Sequence, residues 1–283
     1  MTRIAVNDIH LSVEVRCAGP ALLLLHGFTG SGTTWAPHSE VWHEFTTIAV
    51  DLLGHGRSDC PADPDRYCVE HCVADLLTLL DHLDIQRAAV LGYSMGGRVA
   101  LNLALHAPDR LWALVLESAS PGIADPVERE ARCNSNAALA QAIEQDGIVA
   151  FVDHWQALPL FATQARLPPP VREALRHQRL NNNPQGLANS LRGLGAGRQE
   201  PILRRLGEMR IPTLLLAGAL DIKYCVLADQ MAAALPDNRL HIVPESGHAI
   251  HLEQPATFAD TVQRFLDLCW QNQSEKKENV RWV

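Results

Sequence analysis

The chain predicts an α/β fold: a mostly parallel central sheet with helices on both faces and an inserted helical lid. Short β-rich runs, ALLLL (21–25), TTIAV (46–50), AAVL (88–91), LWALVLE (111–117), TLLLA (213–217) and RLHIV (239–243), alternate with stretches of helical periodicity. This is the rhythm of strands joined by helical crossovers. The rhythm stops between Glu117 and Thr213, a gap of about 90 residues that no plain crossover loop explains. A length of 283 residues suffices for one large domain carrying a sizeable insertion.

Each element follows in order. MTRIAVNDIHLSVEV alternates apolar and polar residues around Asn-Asp, which reads as a β-hairpin. The six runs above then build the sheet. In the gap, ALAQAIEQDGIVAFVDHW has apolar residues at helical spacing, LPPP interrupts it, and VREALRHQRL and GLANSLRGL resume, so the insertion is read as several helices, one starting near Pro170. The sheet resumes with IPTLLLAG. The chain thus divides into core segments 1–120 and 210–270, a lid at 121–209, and a polar tail at 271–283 that is expected to fray. No internal repeat is present.

Composition narrows the function classes. A formal net charge of −8 argues against a general nucleic-acid surface. No apolar run approaches the roughly 18 residues that a membrane span takes. Neither nucleic acid nor membrane is therefore an expected partner, and the sequence leaves the oligomeric state open, a monomer included. The N-terminus lacks the long apolar stretch of a signal peptide. The seven cysteines, at 17, 60, 68, 72, 133, 225 and 269, are odd in number, scattered and without a C-x-x-C pair. Free thiols and a cytoplasmic location are the expectation. No metal-binding, P-loop or dinucleotide motif occurs in a fitting context, so neither metal nor cofactor is expected.

The chemistry concentrates at LGYSMGGR. Gly92-Tyr93-Ser94-Met95-Gly96 follows a strand-like run and opens a helix-like one. In that context glycines let neighbouring backbone pass close to a strained serine whose hydroxyl stands exposed. An inert serine in a Gly-rich turn would give the same pentapeptide. However, Asp221 follows TLLLA and His248 follows RLHIV, so an acid and a base stand at strand ends in the order Ser, Asp, His. A serine hydroxyl needs a histidine to take its proton, and the imidazole needs a carboxylate to fix its tautomer. His251 competes with His248 as base, but a core or capping role suits it better. His26-Gly27-Phe28 follows ALLLL and can present the Phe28 N–H beside that of Met95 toward a developing oxyanion. His26 is expected to hydrogen-bond within its turn, and Asp51 in DLLGHGRSD to serve loop architecture.

Together HG, D-x-x-G-H-G-x-S, G-x-S-x-G, a late Asp and a late G-H resemble the α/β-hydrolase superfamily over nearly the whole chain. That superfamily hosts many chemistries, so the lid has to discriminate. From Leu160 to Leu206 it carries eight arginines and no lysine, against Glu173 and Glu200. Arginine forks suit carboxylate or phosphate, which suggests a small anionic substrate, although the chain's general preference for Arg over Lys would produce part of the cluster. Arg98 lies four residues after Ser94, one turn along the same helix face. It could hold a carboxylate beside the serine or tie the helix to a neighbouring loop.

LHGFTGSGTTW, GYSMGGRVAL, LESASPGI, FVDHWQALPLFATQ and RLNNNPQGLANSLRGLGAGRQ narrow the resemblance to the 2-succinyl-6-hydroxy-2,4-cyclohexadiene-1-carboxylate synthases of menaquinone and phylloquinone biosynthesis. The resemblance implies a lyase that eliminates pyruvate from 2-succinyl-5-enolpyruvyl-6-hydroxy-3-cyclohexene-1-carboxylate. It also implies substrate-binding roles for Tyr93, Arg98, Arg132, Trp155 and Arg179. The chain departs from the family after Arg132, where it reads CNSN and relatives tend to carry further Arg and Asp. The alternative is a serine hydrolase of carboxylic esters or of C–C bonds in anionic dicarbonyl substrates. A binding module with a vestigial triad is the third reading.

Overall fold

The computed structural model describes residues 1–16 and 19–280, with side chains to residue 273. Eight strands form one sheet: β1 (Thr2–Val6), β2 (Ile9–Arg16), β3 (Ala21–Leu25), β4 (Thr46–Asp51), β5 (Ala88–Tyr93), β6 (Leu111–Glu117), β7 (Thr213–Gly218) and β8 (Asn238–Val243). Their spatial order is β1-β2-β4-β3-β5-β6-β7-β8. The pairs β1/β2 and β2/β4 are antiparallel, and every pair from β4/β3 to β7/β8 is parallel. The hairpin and all six predicted runs are strands of this sheet.

The helices are α1 (Ala36–Val41), α2 (Val69–His82), α3 (Met95–His106), α4 (Pro126–Gln156), α5 (Pro169–Leu180), α6 (Pro184–Gly193), α7 (Ile222–Ala234), α8 (Ile250–Glu253) and α9 (Pro255–Val280). Two cores sandwich the sheet. Along β3 the side chains alternate: Leu23 and Leu25 join the face packed by α2, α3 and α7, while Leu22 and Leu24 join the face packed by Trp42 and the apolar side of α9. All four leucines are inaccessible to solvent. Strands buried on both faces read as unbroken apolar runs, which is why ALLLL is so legible. Burying each such side chain contributes about 1.5–3 kcal/mol.

Between β6 and β7 the chain leaves the sheet and forms α4, α5 and α6. Ala140, Ile143, Phe151 and Val152 of α4 pack on Leu187, Ala188 and Leu191 of α6, and Phe28 and Trp155 border this small core. The run ALAQAIEQDGIVAFVDHW, read as one helix, is broken in direction at Gly147, whose φ of 81° and ψ of 173° are not helical. Glycine occupies such a conformation without a Cβ clash, so a kink costs little there. The expected fraying from 271 is also corrected: the backbone of α9 continues to Val280. The segment QNQSEKKENV holds no Gly or Pro and is rich in helix formers, so it extends a helix already nucleated by packing. Residues 281–283 of that tail lie outside the described residues, as does Cys17. The six described cysteines are all unpaired. Among the described residues no helix is long and apolar enough to cross a membrane.

Candidate active site

Ser94 stands at the turn from β5 into α3 with φ 51° and ψ −104°, a left-handed conformation that costs of order 1–3 kcal/mol for a non-glycine residue. Its neighbours make the turn possible. A Cβ on Gly92 would lie 2.4 Å from the Gly96 carbonyl oxygen, and one on Gly96 would lie 2.3 Å from that of Leu25, distances no side chain tolerates. The Ser94 N–H donates to the Glu117 carbonyl at 2.9 Å, which fixes the turn to the end of β6.

Asp221 follows β7 and accepts the Tyr224 N–H at its own helix start, 3.4 Å away. His248 lies in the loop after β8, where Glu253 accepts the Gly247 N–H at 2.7 Å and the Ala249 N–H at 3.3 Å. The Nδ1–H of His248 donates to Asp221 Oδ2 at 2.7 Å, and its Nε2 lies 3.0 Å from Ser94 Oγ. A carboxylate only accepts, so Asp221 fixes the proton on Nδ1 and leaves Nε2 free to accept from the serine. The residues brought together from three distant stretches therefore form a continuous Ser-His-Asp relay, with His248 2% exposed.

His251 makes a different pair. Its Nδ1–H donates to Glu117 Oε1 and Oε2 at 2.9 and 3.0 Å, and its backbone N–H donates to Oε1 at 3.0 Å. Glu117 is fully buried. His251 is a buried histidine paired with Glu117, and Glu117 links the serine turn to the histidine loop.

The loop after β3 stands beside the serine. A Cβ on Gly27 would lie 2.6 Å from the Tyr93 ring, so only glycine lets the loop approach this closely. His26 donates from Nδ1 to the Gly27 carbonyl at 2.8 Å and accepts the Leu52 N–H on Nε2 at 3.0 Å. Burial holds its pKa down at about 4, so it is a neutral structural residue. Asp51 accepts the Gly32 N–H at 2.6 Å and the Arg57 N–H at 2.9 Å, which is loop architecture. The Met95 N–H, at the first helical position of α3, has no carbonyl partner within its helix. Phe28 and Met95 line the same cavity as Ser94.

That cavity measures about 1590 Å³ and lies between the sheet's C-terminal ends and the inserted helices. Tyr93, Arg98, Arg132, Trp155 and Arg179 all line it. Trp155 stands edge-on to Phe28 at 5.2 Å between ring centres. Arg98 donates from Nε to Gln199 Oε1 at 3.0 Å and from Nη2 to the Leu194 carbonyl at 2.8 Å. Arg98 thus ties α3 to the 194–199 loop and also lines the cavity. Burial pushes its pKa down to about 10, aided by Arg132 nearby. Arg179, 4% exposed, donates from Nη2 to Gln164 Oε1 at 3.0 Å, and its guanidinium lies 5.2 Å over the Phe161 ring. Burial lowers its pKa too. Among the described residues neither Arg98 nor Arg179 nor Arg132 has a carboxylate partner. Nor does any group of three or more His, Cys, Asp or Glu among them stand ready to hold a metal ion.

Sequence reasoning passed over Tyr224, whose ring meets His248 edge-on at 4.5 Å and whose hydroxyl interacts with Ser94. It also passed over Gln164, Gln199 and Glu117. Their one signal was position: Tyr224 follows Asp221 by three residues, and both glutamines fall within the stretches that carried the narrower resemblance.

The α/β hydrolase fold family matches residues 20–255. A protein of Pectobacterium atrosepticum named 2-succinyl-6-hydroxy-2,4-cyclohexadiene-1-carboxylate synthase is 34% identical over 87% of this chain and 94% of its own length. A Bacillus subtilis protein provisionally given that name is 42% identical over 88% of this chain and 91% of its own. The chain belongs to the α/β-hydrolase fold family and, within it, to these synthases. Among solved structures, MenH from S. aureus superposes with a TM-score of 0.88 at 32% identity, over 92% of this chain and 99% of that one. Family membership agrees with the sheet order and with the inserted helices after β6.

Proposed function

We propose that the chain is a carbon–oxygen lyase that eliminates pyruvate from 2-succinyl-5-enolpyruvyl-6-hydroxy-3-cyclohexene-1-carboxylate, in menaquinone or phylloquinone biosynthesis. The observation that carries this reading is the Ser94–His248–Asp221 relay opening into a cavity lined by three arginines without carboxylate partners. A neutral ester would leave these three guanidiniums without a paired carboxylate. A substrate bearing several carboxylates supplies the missing counterions.

In this reading Ser94 is the base. His248 takes the hydroxyl proton, Asp221 stabilises the imidazolium, and Ser94 Oγ removes the ring proton next to the succinyl carbonyl. The released electron pair forms the first ring double bond, the existing double bond shifts by one position, and the ring carbon–oxygen bond to the enolpyruvyl group breaks. Pyruvate leaves as its enolate and takes up the proton that His248 held. Atoms and charge then match a 3-cyclohexene going to a 2,4-cyclohexadiene. The Phe28 and Met95 N–H groups stabilise the succinyl enolate oxygen as it forms, each contributing roughly 3–4 kcal/mol. Arg98, Arg132 and Arg179 hold the carboxylates so that the reacting C–H stands within reach of Ser94, with Tyr93 and Trp155 framing the ring. Residues 121–209 act as the lid over core segments 1–120 and 210–270. Six unpaired cysteines suit the cytoplasm as the working compartment.

The test is pyruvate release from freshly generated substrate, run beside p-nitrophenyl acetate hydrolysis, for wild type and Ser94→Ala. Fast, Ser94-dependent pyruvate release with feeble ester cleavage is expected. Rapid ester turnover with pyruvate appearing no faster than spontaneously would overturn the reading in favour of a hydrolase.

A further inference from the structure

Arg98 on α3 and Arg179 in the lid share one arrangement. Arg98 is held by the side-chain oxygen of Gln199, and Arg179 by that of Gln164, each at 3.0 Å. Both glutamines are buried. By contrast, two lid arginines nearer the surface are held by carboxylates, Arg176 by Asp153 and Arg192 by Glu144.

The difference has a physical consequence. A guanidinium only donates, so each glutamine must turn its oxygen toward its arginine. That leaves the Gln199 NH₂ buried without an acceptor, a penalty a carboxylate at the same position would avoid. The Arg179 Nε is likewise buried and unpartnered. A carboxylate of nearly the same shape would make a stronger, charge-assisted bond in each place. It would also cancel the field that the guanidinium projects into the cavity.

We infer that Gln199 and Gln164 are positioning residues that orient Arg98 and Arg179 without neutralising them, reserving both charges for carboxylates of the substrate. The inference rests on the lyase reading above for the identity of that substrate. The glutamines touch the arginines and not the reacting atoms, so their effect falls on binding of the polyanion and not on proton transfer. The resting site is thereby left less stable than it could be, and the substrate completes it.

The experiment compares wild type with Gln199→Glu and with Gln164→Glu, made separately so that each site tests the inference independently. Two quantities are read: steady-state pyruvate release, resolved into KM and kcat, and the Tm of the substrate-free protein. Each variant is expected to raise KM at least about tenfold, to leave kcat within threefold, and to raise Tm by a few degrees because the buried guanidinium gains a counterion. An unchanged KM overturns the inference. So does a fall in Tm with kcat and KM damaged together, which would make the glutamines general structural residues. If wild type releases no pyruvate above background, the lyase reading fails. The Tm comparison then still decides, because a gain supports the uncompensated charge and no gain refutes it.

Discussion

Replacing Arg98 by methionine separates its two structural roles. The side chain ends in two inward hydrogen bonds, to Gln199 at 3.0 Å and to the Leu194 carbonyl at 2.8 Å, in the wall of the cavity that holds Ser94. Methionine keeps much of the volume and removes the charge. On the stability side, two acceptors lose a donor, at about 1–3 kcal/mol each. Against this, replacing a buried charge by an apolar side chain is often neutral or stabilising by about 1–4 kcal/mol. The terms nearly cancel, so Tm should move by no more than about 4 °C in a domain of this size. On the activity side, a desolvated carboxylate of the substrate loses its cation, at about 2–5 kcal/mol, which is roughly 30-fold to several thousandfold in kcat/KM. The assay is pyruvate release, with hydrolysis of p-nitrophenyl acetate, which carries no carboxylate, measured on the same preparation. A loss of more than 30-fold on the polyanion with less than tenfold on the neutral ester is expected. Equal losses on both, together with a drop in Tm of more than about 8 °C, would refute the reasoning and make Arg98 a strut.

Two glycines should respond in opposite degree to alanine. Gly92→Ala drives a methyl against the Gly96 carbonyl at 2.4 Å and should abolish both the serine turn and activity. Gly147→Ala meets no neighbour within 4 Å but sits at φ 81°, so a loss near 1 kcal/mol from backbone strain alone is expected by thermal melting; a loss above 3 kcal/mol would contradict that. Stability should also fall with acid. His26 and His38 have folded pKa values of about 4, depressed by burial, against about 6.5 unfolded. Their neutral forms stabilise the fold fully above pH 6.5, and this contribution is lost as pH drops toward 4, about 2 kcal/mol each by pH 5. Tm should therefore fall by roughly 10 °C between pH 7.5 and 5, and an unchanged Tm would show that these imidazoles are not buried neutral.

What the sequence disclosed depended on whether the signal was local. ALLLL is apolar on both alternating faces because its strand has a helical layer on each side, and a run of that kind needs no partner to be recognised. The serine turn is legible because its residues are contiguous, a G-x-S-x-G spacing that follows a strand-like run and opens a helix-like one. Asp221 and His248 were found through chain order at strand ends. Gln164, Gln199 and Tyr224 were not, since a lone glutamine or tyrosine gains meaning only from the side chain it meets across the fold. Arg98 and Gln199 are 101 positions apart. The kink in α4 escaped because an isolated glycine inside a helical pattern is usually absorbed without a break. The tail escaped because polarity suggests fraying, while propensity, with α9 already formed, favours continuation.

Glu117 occupies a small place in the structure, yet it settles a question of tolerance. Its backbone carbonyl receives the Ser94 N–H and its carboxylate holds His251, three residues beyond His248. His248 and Ser94 are thus surveyed from one post at the end of a central strand, within the layer of the molecule least free to drift. The 3.0 Å gap between Ser94 Oγ and His248 Nε2 is set by the sheet and not by the helices above it. A lineage could redraw α4 to α6 to fit another acid and leave that gap undisturbed.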